Sequence, residues 1–220
     1  MQTKEENKMR NAKLKQDLID QASKQTGFYP VVREVVVGIF GEPGSGKTLF
    51  LKDLICDLIA QNSKIFIFDT SSGWRYFNKS FNGEQICFDN KNSTVTKQKI
   101  FKNTITVFEI EELRHFPSLL KISLERLLTQ IMEQMSKNSE PFVIVIDDLY
   151  LLEGAIDSSL EKILNEIRKY NGRLVFSTDS KSELAIELLK TYSREIDFSE
   201  TPYYPRPIMP KSRFRDKDGE

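Results

Sequence analysis

Residues 41–48 read Gly-Glu-Pro-Gly-Ser-Gly-Lys-Thr and satisfy G-x-x-x-x-G-K-[ST], with Gly41, Gly46, Lys47 and Thr48 at the defining positions. Phosphate groups require several backbone N–H groups aimed into one concavity. Gly41, Gly44 and Gly46 permit the unusual dihedrals and the close approach this needs, and a helix starting at the end of the run adds the positive end of its dipole. Lys47 supplies a point charge for β- and γ-phosphates, and the Thr48 hydroxyl supplies a ligand for Mg²⁺. Glu42, Pro43, Ser45 and Leu49 complete the stretch expected to wrap ATP.

A phosphate loop of this kind requires an acid at the end of a second strand. PFVIVIDD (141–148) supplies one: Asp147 is the candidate that holds magnesium, through water, and Asp148 directly after it is the candidate that polarises an attacking water. The competing role for Asp148 is to cap the following turn. RLVFSTD (173–179) delivers Ser177, Thr178 and Asp179 at a strand end, where a γ-phosphate would be sensed from a neighbouring strand; local turn-capping competes there too.

These groups need a scaffold. An apolar run over 31–40 predicts a buried strand before the glycine loop, and 48–60 a helix with Leu51, Leu54, Ile55, Leu58 and Ile59 on one face. Further strands are predicted at 64–69, 84–89 and 104–110, and Pro117 opens a long amphipathic helix carrying Leu120, Leu124, Leu127, Leu128, Ile131 and Met135. The β-branched run ending in Asp147 and Asp148 reads as a central parallel strand, followed by a helix over 157–170 and the strand 173–179. Strand and helix alternate, which predicts an α/β fold: a three-layer P-loop domain of the RecA-like type, with a mostly parallel central sheet and flanking helices. That domain is expected over 28–199, preceded by a charged helical or flexible leader (1–27) and followed by a proline-rich charged tail (200–220).

Composition excludes other chemistries. Lys plus Arg and Asp plus Glu both number 32, so bulk charge points to neither nucleic acid nor a membrane surface. One histidine (His115) rules against a histidine-based triad or a His-rich metal centre, and Cys56 and Cys87, both in apolar surroundings, read as core thiols. No apolar stretch approaches the roughly 20 residues of a membrane span and the polar N-terminus has no signal-like core, so a cytoplasmic protein is expected. Trp74 after the second strand is either an adenine-stacking ring or a buried one.

The segments GEPGSGKTLFLKDLI, KIFIFDTSSGW, ITVFEIEELRHFPSLLKISLERLLTQIMEQM, PFVIVIDDLYLLEG and EIRKYNGRLVFSTDS, in this order, resemble the C-terminal ATPase domain of the TraC-type conjugation ATPases within the HerA/FtsK branch. The resemblance covers residues 34–190, and FEIEEL followed by a proline and a long helix is its most distinctive part. It implies an ATPase working as a homo-oligomeric, hexameric ring, as a peripheral complex at the inner face of a membrane channel, energising transfer of DNA or protein with other transfer-machinery subunits. It places Asp148 at the family's catalytic glutamate and Asp179 at a glutamine, two acidic departures expected to slow hydrolysis. A ring of this type presents an arginine from one subunit to the γ-phosphate of the next; Arg168 and Arg173 are the candidates here, with Arg194 a third. IDDLYLLEG with LVFSTDS is also similar to the paired motifs of DnaA-type AAA+ switches and helicase loaders, and a viral or plasmid DNA-packaging ATPase is a further alternative.

Overall fold

A computed structural model describes residues 35–88, 103–138, 140–156, 158–179, 181–190 and 193–199, so the predicted leader and tail both lie outside the described residues. In chain order the elements are β1 (Val36–Phe40), α1 (Lys47–Ala60), β2 (Lys64–Asp69), α2 (Arg75–Ser80), β3 (Glu84–Cys87), β4 (Ile105–Glu109), α3 (Pro117–Asn138), β5 (Phe142–Ile146), α4 (Ser158–Glu166), β6 (Gly172–Thr178), α5 (Glu183–Leu189) and β7 (Ser193–Asp197). Short 3-10 turns at Glu111–His115, Leu149–Leu152 and Ile167–Tyr170 join them.

The seven strands form one sheet in the order β3-β4-β2-β5-β6-β1-β7. Every pairing is parallel, with Phe40 opposite Thr178 and Phe68 opposite Ile146. The strand ending in Ser177 and Thr178 thus lies between the strand that feeds the phosphate loop and the strand that feeds Asp147, the arrangement expected of a RecA-like fold.

Side chains alternate across a strand, and the two faces have taken different residue types. One face gathers Phe66, Phe68, Phe108, Phe142, Ile144, Ile146 and Phe176 beneath α3 and α4. The other gathers Val37, Ile39, Ile65, Ile67, Val143, Val145 and Val175 beneath α1 and Trp74. Flat β-branched side chains let α1 lie close to the sheet, which holds the loop before it at the sheet's C-terminal edge. The Leu120–Met135 stripe of α3 is buried as its periodicity predicts. Each such buried aliphatic or aromatic side chain stabilises the fold by about 1.5–3 kcal/mol.

Several boundaries differ from the sequence-based expectations. The acid strand ends at Ile146, leaving Asp147 and Asp148 in a turn, and the predicted helix over 157–170 tightens to 3-10 geometry after Glu166. The sequence reading overlooked α2, α5 and β7. Only Ile196 is apolar within Ser193–Asp197, so β7 carries no alternation of its own; it forms because the outer edge of β1 offers a full set of backbone partners. Cys87 is exposed rather than in the core, while Cys56 is half-buried, its thiol pushed up to about 12 by burial and by Asp53 and Asp57.

Candidate nucleotide-binding site

The loop from Gly41 to Gly46 turns the chain from β1 into α1 using glycines where only glycine is comfortable. Gly41, Gly44 and Gly46 have φ of 150°, 82° and 94°. A Cβ on Gly41 would lie 2.4 Å from Ser45 Oγ, so the loop could not close over itself with any larger residue. The Ser45 hydroxyl is buried in this cradle without a hydrogen-bond partner. The first N–H groups of α1 have no carbonyl of their own helix to serve. An unpartnered buried hydroxyl and a cluster of helix N-terminal amides form a donor set that suits phosphate oxygens. Lys47 is buried, and its ammonium donates to Gly41 O (2.7 Å), Glu42 O (3.1 Å) and Asp179 Oδ1 (2.7 Å).

Asp147 is the hub of the second half of the site. Its carboxylate accepts from Ser177 Oγ (2.6 Å), from Trp74 Nε1 (2.9 Å) and from Thr48 Oγ1 (3.2 Å to Oδ2), and its carbonyl accepts from Thr70 Oγ1 (3.0 Å). Four side chains from three segments of chain therefore converge on one fully buried acid. Asp69 at the end of β2 shapes the Trp74 loop by accepting from the backbone N–H groups of Ser71, Gly73 and Trp74 at 3.1–3.2 Å. Burial pushes the Asp69 carboxyl upward against those hydrogen bonds, with Asp147 adding to the rise. Among the described residues no group of three or more His, Cys, Asp or Glu side chains could hold a metal. One buried carboxylate beside one hydroxyl is instead the sparse oxygen set that magnesium accepts when phosphates and waters supply its other ligands. Thr48 and Asp147 fit it.

Trp74 is a correction to the adenine-stacking alternative. It is fully buried, edge-on to Phe77 at 5.5 Å, with the Lys52 ammonium 5.4 Å from its ring centroid. Its work is to donate to Asp147, which periodicity could not reveal because the two residues are far apart in the chain.

Asp148 adopts φ 59° and ψ 60°, a left-handed conformation that costs energy in a residue other than glycine, and its N–H donates to Ser177 Oγ at 2.9 Å. Burial, then the nearby Asp147 and Asp179 carboxylates, lift its carboxyl to about 6, with Lys47 pulling the other way. Asp179 lies just past the end of β6 and pairs with Lys47. Tyr150 stands at the same rim: partial burial and the charges of Asp148 and Asp179 raise its hydroxyl, and Arg114 opposes them.

Of the arginine candidates, Arg173 does not join this cluster. Arg173 is the second residue of β6, at the end of the sheet opposite the loop, and at about 3.3 Å per residue it lies about 16 Å along the strand from Thr178. It is too far to touch a nucleotide bound by its own subunit. Arg168 sits in the 3-10 turn before β6, and Arg194 in β7. Arg114, in the turn after β4, was not among the candidates; it is half-buried and donates to Glu111 O at 3.3 Å.

Beside the site, Glu109 at the end of β4 ties the segment after β2 to strand β3. It accepts from Ser72 Oγ (2.6 Å), Cys87 Sγ (3.2 Å), Arg75 (3.1 Å) and Gln85. Burial would raise its carboxyl, but those four donors together bring it down to about 2.

Residues 35–209 match the family described as helicase HerA, central domain. Among solved structures, VirB4 of Thermoanaerobacter pseudethanolicus superposes with a TM-score of 0.52 at 13% identity over 74% of each chain. The DNA-packaging ATPase B204 of Sulfolobus turreted icosahedral virus superposes with a TM-score of 0.51 at 20% identity over 70% of each chain. At these identities the two likenesses establish the fold. No curated protein matches the chain.

Proposed function

This chain belongs to the helicase HerA central-domain family, and we propose on that premise that it is a Mg²⁺-dependent ATPase whose turnover drives the transfer of DNA or protein. The observation that carries the reading is the meeting of Thr48 Oγ1 with Asp147 Oδ2 at 3.2 Å, with Lys47 one residue earlier at the start of α1. The loop amides and Lys47 hold the β- and γ-phosphates, and Thr48 with Asp147 positions the metal. Magnesium, when bound, neutralises charge developing between the β- and γ-phosphates. Asp148 orients and deprotonates the attacking water, a task suited to a carboxylate whose surroundings lift it to about 6. Aspartate is one methylene shorter than glutamate, so slow turnover is expected. The conjugation-type secretion reading is supported by the sequence resemblance to TraC-type ATPases, and the DNA-packaging reading by the likeness in fold to the DNA-packaging ATPase B204.

Steady-state ATP hydrolysis tests this directly. Wild type should turn over in Mg²⁺ and not in EDTA; Lys47→Ala should lose both binding and turnover. Asp148→Asn should keep nucleotide binding while losing roughly a hundred-fold in rate, the scale of general-base assistance. Equal background rates in all three proteins would overturn hydrolysis and leave a nucleotide-binding scaffold. Stimulation of wild-type turnover by double-stranded DNA, absent with a control polyanion, would select DNA as the cargo.

A further inference from the structure

We propose that Asp179 is a built-in competitor for nucleotide phosphate, holding the Lys47 ammonium so that nucleotide binds only by breaking the pair. This rests on the nucleotide-site reading above and adds a control on its affinity.

An ammonium has three N–H donors. Those of Lys47 are directed at Gly41 O, Glu42 O and Asp179 Oδ1, at 2.7, 3.1 and 2.7 Å, so the ammonium has no donor left for a phosphate oxygen. Two of the three acceptors are backbone carbonyls of the loop itself and cannot leave without unmaking the cradle. Asp179 is the partner that can leave: its side chain is 29% exposed, against 6% for Lys47.

The pair is set by the fold rather than by chance contact at a surface. Thr178, the residue before Asp179, is held in parallel register opposite Phe40, the residue before Gly41. Ser177 and Thr178 are fully buried, so the backbone that launches the Asp179 side chain is fixed relative to the loop. The surroundings also favour departure once phosphate arrives. Asp148 already places negative charge near Asp179, and phosphate oxygens add more of the same sign.

A protein whose binding-competent form is only a fraction of the whole binds with its affinity reduced by that fraction. Asp179→Asn keeps an acceptor for Lys47 but removes the charge, and should raise the competent fraction. Asp179→Glu keeps the charge. Asp148→Asn removes a negative charge from the same site without touching Lys47, and so controls for general repulsion.

Equilibrium titration of each full-length protein with ADP and with Mg·ATP tests the proposal. Asp179→Asn should bind both roughly ten-fold tighter than wild type, Asp179→Glu should stay near wild type, and Asp148→Asn should gain less than Asp179→Asn. Binding in Asp179→Asn that is unchanged or weaker overturns the competitor while the nucleotide site stands, and so does an equal gain in Asp148→Asn. If wild type is silent and Asp179→Asn binds, the competitor is supported in its strongest form. If neither binds at millimolar nucleotide, the site reading falls and takes the competitor with it.

Discussion

Asp147 accepts hydrogen bonds from Thr48, Trp74 and Ser177, three residues with different degrees of freedom. Thr48 can turn its hydroxyl toward a metal while still donating to the acid. The indole of Trp74 is fully buried, so its N–H fixes where Oδ2 stands. Loss of such a supporting partner typically costs ten- to a hundred-fold in metal affinity. For Trp74→Phe we expect the Mg²⁺ concentration that half-saturates nucleotide binding to rise roughly ten-fold, with ADP affinity in EDTA unchanged; a Mg²⁺ titration decides. Trp74 is the sole tryptophan of the chain, so its emission in the wild type should change when Mg·ADP binds. Glu109 offers a second residue-scale prediction. Its carboxyl falls from 4.5 to about 2 in the folded protein, so it stabilises the fold above pH 4.5 and that contribution is lost as pH drops toward 2. Tm should therefore fall less steeply over that window in Glu109→Gln than in wild type.

At the scale of elements, β6 does two jobs at its two ends. Its C-terminal end presents Ser177, Thr178 and then Asp179 to the loop and to Asp147. Its N-terminal end is packed without slack: a Cβ on Gly172 would lie 2.3 Å from Phe142 Cζ and 2.5 Å from Ile167 Cγ2. Gly172→Ala should cost about 1–3 kcal/mol of stability, visible as a lowered Tm. Nucleotide affinity should hold, because the clash is at the far end of the strand. Elements of this kind were legible where the chain repeats a period long enough to count. The continuous apolar runs at 64–69 and 142–146 and the three- and four-residue steps of 117–138 were all readable. The edge strand β7 was not, since it has one apolar residue and borrows its order from β1. Phe198, just after it, donates its N–H to Phe40 O at 2.8 Å and packs its ring 5.3 Å from that of Phe50, so this unpredicted strand helps hold the start of the phosphate loop.

For the whole molecule, the arginine geometry sets the terms. Arg173 stands at the opposite end of the sheet from Lys47, so any part it takes in hydrolysis comes from a neighbouring subunit. Lys47→Ala and Arg173→Ala should each be inactive alone, and a mixture of the two should regain measurable turnover, because a neighbour can then pair an intact loop with an intact arginine. No recovery on mixing, together with a monomer on sizing in Mg·ATP, would remove Arg173 from that role. Among the described residues no helix is long and apolar enough to cross a membrane. What the sequence alone determined about this protein was local: a glycine loop between a strand and a helix, a doubled acid closing a β-branched run, and a polar strand end. Each is a contiguous run whose chemistry is complete within a few residues. What only the tertiary structure decided was partnership. Trp74 meets Asp147 across 73 residues and Lys47 meets Asp179 across 132. Both contacts depend on which strands lie side by side, and strand order in a parallel sheet comes from packing the whole chain around one core, information that no short run of residues contains.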